Sequence, residues 1–230
     1  LLREYQQLAA GITDNAKGNA LLIVLQKAME MTEALGGQRK AVVFTESCRT
    51  QQYLNDLLES NGYAGRTVLL NGTNTDARSR QIYNKWIERH QGSARISGSR
   101  TADMKAALVD HFKSDHADIL ISTEAGGEGI NLQFCSLLIN YDLPWNPQKV
   151  EQRIGRVHRY GQKNDVVVVN FVNRRNPADQ RVFELLSEKL KLFEGVFGAS
   201  DEVLGAIESN IDIERRIYEI YQNCRTDLEI

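Results

Sequence analysis

Cysteine is scarce in this chain, and its placement excludes two classes of protein. Cys48, Cys135 and Cys224 are odd in number and far apart, and they fit neither a disulfide framework nor the paired spacing of a zinc site. They read as reduced thiols of an intracellular protein. His90, His111, His116 and His158 form no ligand pattern, so no metal role is expected. No apolar run approaches the roughly 20 residues that span a bilayer. The opening, LLREYQQLAAG, lacks the charged and apolar layout of a signal peptide. It also lacks a methionine, and so reads as part of a longer chain. The dipeptide Gly-Lys never occurs, which excludes a GxxxxGK[ST] phosphate loop. The one Asp-Glu pair, Asp201 and Glu202, opens a polar helix rather than ending an apolar strand, a poor position for an acidic magnesium-binding motif.

A large charge excess is missing too. The net charge over 230 residues is −2, but it is unevenly spread. Gly72 to Lys113 holds eight Lys and Arg against four Asp and Glu, whereas Ala178 to Ile230 holds six against twelve. A polyphosphate backbone responds to a local basic patch rather than to the total. With 42% hydrophobic and 25% charged residues, the composition is that of an ordinary soluble globular domain with extensions.

The chemistry concentrates between Ile119 and Gln162. DILIST, residues 118–123, reads as a buried strand, followed by the turn EAGGEGIN, in which glycines 126, 127 and 129 permit positive φ and close approach of the backbone to a ligand. Leu137 to Tyr141 reads as a second buried strand. Asn146 and Pro147 then form a start signal for a helix expected to run to Gly161. Val150, Ile154 and Val157 make its apolar stripe, and Gln152, Arg156 and Arg159 recur at the same spacing on nearly the opposite side. In open α/β sheets, ligands bind beyond the carboxyl ends of strands.

The remaining elements supply a frame. Helices are expected over Leu1 to Ala10 and Ala16 to Leu35. A strand over Ala41 to Phe44, a helix over Arg49 to Ser60 and a strand over Thr67 to Leu70 imply a parallel β-α-β unit. A helix over Asp76 to His90 and the segment QGSARISGS precede a further helix over Thr101 to Lys113, and this region carries Arg78, Arg80, Lys85, Arg89, Arg95 and Arg100. Its bland reading is a solvated charged face; its sharper one is a surface that tracks a nucleic-acid strand. Val166 to Val172 reads as a strand covered on both faces. Asn176 and Pro177 open a helix with Val182, Leu185, Leu186, Leu190 and Phe193 on one side; Ser200 caps a shorter helix, and Ile211 to Asn223 forms another.

STEAGGEGINLQ, NYDLPWNPQ and EQRIGRVHRYGQ resemble the fifth and sixth motifs of superfamily-two helicases, above all those of the Swi/Snf-like branch, where an HRxGQ ending is characteristic. The resemblance spans about residues 38–175. It implies an α/β fold: a single RecA-like lobe, the second of two, with a mostly parallel sheet flanked by helices, N-terminal helices over 1–37 and a C-terminal helical extension over 176–230. A basic insertion at about 74–99 departs from the shortest version of the pattern. It leaves open whether Arg78 matches a motif position.

The same resemblance implies roles by motif position. Arg156 and Arg159 would reach across a cleft as arginine fingers to ATP seated on the first lobe, with Gln152, Gly129 and Asn131 near the nucleotide. Thr45, Gly72, Ser122 and Thr123 would lie near the nucleic-acid backbone. Glu128 replaces an aliphatic residue, and its role is open. ATP and Mg²⁺ are expected with the full-length protein, none held tightly by this part alone. The implied partners are double-stranded DNA and the missing first lobe, in an intracellular, nucleoid-associated setting with no membrane. A non-catalytic nucleic-acid-binding or protein-interaction module and an RNA helicase lobe are the alternatives; a dinucleotide enzyme is disfavoured because no GxGxxG turn is present.

Overall fold

The structure is a computed structural model that describes residues 15–172, 177, 179–181 and 183–185. Eleven elements follow in order: α1 (Ala16–Ala34), β1 (Ala41–Thr45), α2 (Cys48–Glu59), β2 (Thr67–Leu70), α3 (Ala77–His90), α4 (Arg100–Lys113), β3 (Ile119–Thr123), α5 (Glu124–Gly127), β4 (Leu137–Asn140), α6 (Pro147–Val157) and β5 (Val167–Asn170). The helices begin where short polar side chains can accept from free backbone N–H groups. Asn15 accepts from Lys17 and Gly18, Ser47 from Thr50, Asp76 from Ser79, Ser99 from Ala102 and Asn146 from Gln148.

The strands form one sheet in the order β2-β3-β1-β4-β5, and every pairing is parallel. β1 and β3 are buried along their whole length, as expected where helices cover both faces of a parallel sheet. One face packs Val42, Phe44, Val68, Leu120 and Leu138 against α4 residues Met104, Leu108 and Phe112. The other packs Val43, Ile121 and Ile139 against Leu21, Leu25 and Met29 of α1 and Leu54 and Leu58 of α2. Burial of side chains this size contributes about 1.5–3 kcal/mol each, so these two layers hold the sheet rigid beneath its carboxyl rim. The register sets Thr45 level with Thr123, and Phe44 level with both Ser122 and Asn140.

Three expectations are modified. The strand expected over 166–172 shortens to β5, pairs with β4 alone, and is half-buried throughout. Its valines do reach both cores, but among the described residues no strand covers its outer edge. The turn after β3 begins as one helical turn, α5, and only Gly129 in it takes a positive φ, +77°. Gly126 and Gly127 serve close packing instead: a Cβ at Gly126 would lie 2.2 Å from the Leu70 carbonyl oxygen, and one at Gly127 2.8 Å from the Phe44 ring. The third, the length of α6, is described with the site below. The expected helix over Leu1 to Ala10 and those after Ser200 and from Ile211 lie outside the described residues. Of the helix expected from Asn176, the described residues 177, 179–181 and 183–185 are helical, with Leu185 buried. No helix among the described residues is long and apolar enough to cross a membrane.

The two described cysteines have opposite environments. Cys135 is buried, its Sγ lies 3.2 Å from the Lys40 carbonyl oxygen, and burial pushes its pKa up to about 12. Cys48 is exposed at the start of α2. Because the thiolate is the nucleophile, a thiol reagent at pH 8 is expected to modify Cys48 within minutes and to leave Cys135 unmodified until the chain unfolds. Peptide mapping by mass spectrometry checks this, and early modification of Cys135 would contradict the packing.

Candidate nucleotide and nucleic-acid interface

The carboxyl rim of the sheet is built around an arginine that helical periodicity does not single out. Arg153 lies on α6 beside Val150, Ile154 and Val157, all buried, and is itself only 1% exposed. Nε and Nη2 donate to Glu124 Oε2 at 3.0 and 2.8 Å, and Nη1 donates to Asn140 Oδ1 at 2.9 Å and to the Asp142 carbonyl at 3.0 Å. Its guanidinium also sits 5.0 Å from the centre of the Phe44 ring. One side chain thus joins the start of α5, the end of β4 and the segment just beyond β4 to α6. A signal was present in the sequence: an arginine inside an apolar stripe requires an anionic partner, and Glu124 stands in the adjacent motif.

Beside it, Asp142 gathers the ends of α1 and β1. Its Oδ2 accepts from the Thr45 hydroxyl at 2.6 Å and from the Glu46 N–H at 3.2 Å, and its Oδ1 accepts from Lys17 Nζ at 2.9 Å. Burial opposes ionisation of this carboxyl, but the Thr45 and Lys17 contacts outweigh it and hold the pKa below the usual carboxylate range.

Arg156 and Arg159 are placed differently from Arg153. α6 ends at Val157, four residues short of Gly161, so Arg159 stands in the turn beyond the helix rather than on its face. The physical reason is that the last carbonyls of the helix find partners elsewhere: Arg156 O accepts from Leu132 N–H at 2.9 Å, and Val157 O accepts from Gln162 Nε2 at 2.9 Å. Arg156 is half-buried, Gln152 and Arg159 are exposed, and Tyr160 is fully exposed. Among the described residues, neither the Arg156 nor the Arg159 guanidinium forms a hydrogen bond or ion pair.

The turn that bears Arg159 is tied to the segment after β3. Gln133 Nε2 donates to Tyr160 O at 2.8 Å, Gln162 Nε2 donates to Gln133 O at 2.9 Å, and Asn131 and Gln133 bond to each other. Gln162, the last residue of the HRYGQ run, therefore acts as the clasp of this loop. These bonds, with that from Leu132 N–H to Arg156 O, hold residues 131–133 against the segment that bears Arg156 and Arg159. Lys105 Nζ secures the intervening turn by donating to Ala125 O and Glu128 O, so Glu128 contributes its carbonyl there.

The residues expected near a nucleic-acid backbone separate into two groups. Gly72 lies in an exposed turn after β2. Thr45, Ser122 and Thr123 are buried: Thr45 bonds Asp142, the Ser122 hydroxyl donates to Thr123 O at 2.9 Å, and Thr123 Oγ1 caps α5. Their hydroxyls shape the rim from within. In the basic insertion, Arg78 bonds Glu59 and the Gly65 carbonyl, and Arg95 bonds Asp110, so these two charges are neutralised internally. Among the described residues, no group of three or more His, Cys, Asp or Glu could hold a metal ion.

The chain is similar to several known proteins. Residues 52–161 match the helicase conserved C-terminal domain. The chain is 42% identical over 158 residues to an uncharacterized ATP-dependent helicase, YqhH, of Bacillus subtilis, covering 68% of this chain and 28% of that protein. It is 31% identical over 143 residues to the DNA repair and recombination protein RAD54 of Saccharomyces cerevisiae, covering 60% of this chain and 16% of that one. It thus spans less than a third of either relative. The crystal structure of the C-terminal part of the Fun30 ATPase domain superposes with a TM-score of 0.53 at 21% identity, over 92% of this chain and 56% of that one, which supports the fold. With its parallel five-stranded sheet and its two adjoining motifs, this chain belongs to the Swi/Snf-like branch of superfamily-two helicases and forms their C-terminal, RecA-like lobe.

Proposed function

We propose that this lobe completes the ATP site of a two-lobe, ATP-dependent translocase acting on double-stranded DNA. The observation that carries this reading is the contrast among three arginines within seven residues. Arg153 is buried and fully partnered, whereas Arg156 and Arg159 stand at the rim with no internal anion. A guanidinium stays charged at any relevant pH, and its planar fork matches phosphate oxygens in pairs. Two of them on the rim of a half-cleft suit the charge that develops on a transferring γ-phosphoryl group bound to another lobe. Gln152, Gly129 and Asn131 would border the same rim and face the nucleotide.

Mg²⁺ does not fit this rim, where magnesium needs carboxylate oxygens and the Glu124 and Asp142 carboxylates are already engaged, the one by Arg153 and the other by Thr45 and Lys17. It belongs with the phosphate loop of the first lobe. Closure of the two lobes around ATP, and their parting after hydrolysis, would move one relative to the other along a strand. The names of the relatives, an ATP-dependent helicase and a DNA repair and recombination protein, favour DNA. Contacts to phosphates rather than base edges imply little sequence preference.

The test is ATP hydrolysis by the protein carrying both lobes, titrated with duplex DNA, single-stranded DNA and RNA. Duplex DNA is expected to stimulate most. Stronger stimulation by RNA would make this an RNA-directed lobe, and no hydrolysis with any of the three would make it a non-catalytic module.

A further inference from the structure

Arg80 of the insertion and Arg100, which follows its end, converge on the Gly72 turn. A cleft of about 370 Å³ opens at the carboxyl end of β2, lined by Gly72, Thr73, Thr75, Arg80, Arg100 and Thr101 among others. No carboxylate lines it. Arg80 comes from the first turn of α3 and Arg100 from the first residue of α4, and both are exposed. Neither side chain has a hydrogen bond or ion pair among the described residues, in contrast to Arg78 and Arg95. The acids next to the cleft's lining residues in sequence bond within local structure: Asp76 Oδ1 caps α3 through Ser79 N–H, and Asp103 Oδ1 accepts from Ser97 N–H and hydroxyl at 2.8 and 2.7 Å.

The turn itself is rigid. Asn71 Oδ1 accepts from Thr73 N–H at 3.0 Å and Asn74 N–H at 2.7 Å, while Asn74 Oδ1 accepts from Asn71 N–H at 2.7 Å. Asn74 holds φ at +46°, which asparagine tolerates better than most residues. The amides of Thr73 and Asn74 are therefore consumed within the turn, and the charge that an anion in the cleft would meet comes from the arginines. A Cβ on Gly72 would lie 3.5 Å from that of Ala125, so the cleft adjoins the turn after β3.

We propose that Arg80 and Arg100 form, with the Gly72 turn, a clamp for a backbone phosphate of the nucleic acid on which the lobe moves. This rests on the function proposed above and adds residues that the helicase motifs do not contain. A free nucleotide does not fit both sites. β2 and β4 lie three strand spacings apart, about 14 Å, so an anion at this cleft is distinct from one beside Arg156. A continuous polyphosphate reaches along such a rim.

The experiment is duplex binding by the two-lobe protein over a potassium chloride series, with Arg80→Gln, Arg100→Gln and the double variant. Losing one neutralised phosphate lowers the slope of log affinity against log salt by about 0.9 on duplex DNA, so the double variant, which loses the whole clamp, should show a slope shallower by about 0.9. Arg80→Lys and Arg100→Lys should keep the slope, and hydrolysis without DNA should be unchanged, because neither side chain lies at the nucleotide rim. An unchanged slope in the double variant, with normal binding by the unaltered protein, overturns the clamp alone. Failure of the unaltered protein to bind any nucleic acid overturns the proposed function and the clamp with it.

Discussion

Arg153→Ala is expected to destabilise the lobe by about 3 kcal/mol, the lower end of the range for breaking a buried ion pair by removing one partner. The lower end applies because Glu124, at 37% side-chain exposure, regains water when the guanidinium is removed. The larger share comes from Asn140 Oδ1 and the Asp142 carbonyl, which are left without donors in a covered site, and from the space left against Phe44. Urea unfolding at pH 7 measures it as a fall in midpoint at constant slope. Arg153→Lys should recover only part of the stability, since one ammonium cannot meet Glu124, Asn140 and Asp142 together. A change below about 1 kcal/mol, the size of an exposed pair, would mean that Arg153 is not the linchpin of the rim.

Arg156→Ala and Arg159→Ala should behave in the opposite way. Neither guanidinium has an internal partner, so each substitution should change unfolding free energy by no more than about 0.5 kcal/mol, as for ordinary surface positions. Each should instead slow ATP hydrolysis by roughly 10³-fold or more, the effect associated with removing a charge that stabilises a phosphoryl transition state. Lysine at either position should restore little, because the paired geometry disappears with the planar fork. The clasp through Gln133 and Gln162 sharpens the expectation for Arg159. Its loop is tethered at Tyr160 and Val157, so the side chain is presented from a fixed base rather than from a free turn.

Much of the frame was legible because local signals and the global fold agree. Asn15 and Gly36 bracket α1, the runs read at 41–44 and 118–123 became central strands at 41–45 and 119–123, and the glycine turn lies at a strand's carboxyl end, as parallel sheets require. What was not legible depended on contacts between distant segments. The end of α6 is set by Leu132 and Gln162 taking the carbonyls of Arg156 and Val157, which no helical period foretells. Gly126 and Gly127 looked like conformational glycines, but the close approach of Leu70 and Phe44 explains them. The burial of Thr45, one residue beyond the strand expected over 41–44, follows from its parallel pairing level with Thr123, a register that sequence leaves open. Arg153 was passed over although it stands inside the apolar stripe of α6, because its anionic partner, Glu124, lies 29 residues away and the pairing shows only in the packed structure.

The division of roles between Arg153 and the pair Arg156 and Arg159 is decided by single-turnover hydrolysis of ATP in the two-lobe protein carrying Arg156→Ala and Arg159→Ala together, at saturating duplex DNA, with the urea midpoint recorded on the same sample. A rate lower by roughly 10³-fold or more with an unmoved midpoint is the predicted result. A normal rate would contradict it, and would remove the reason to regard this rim as half of an ATP site.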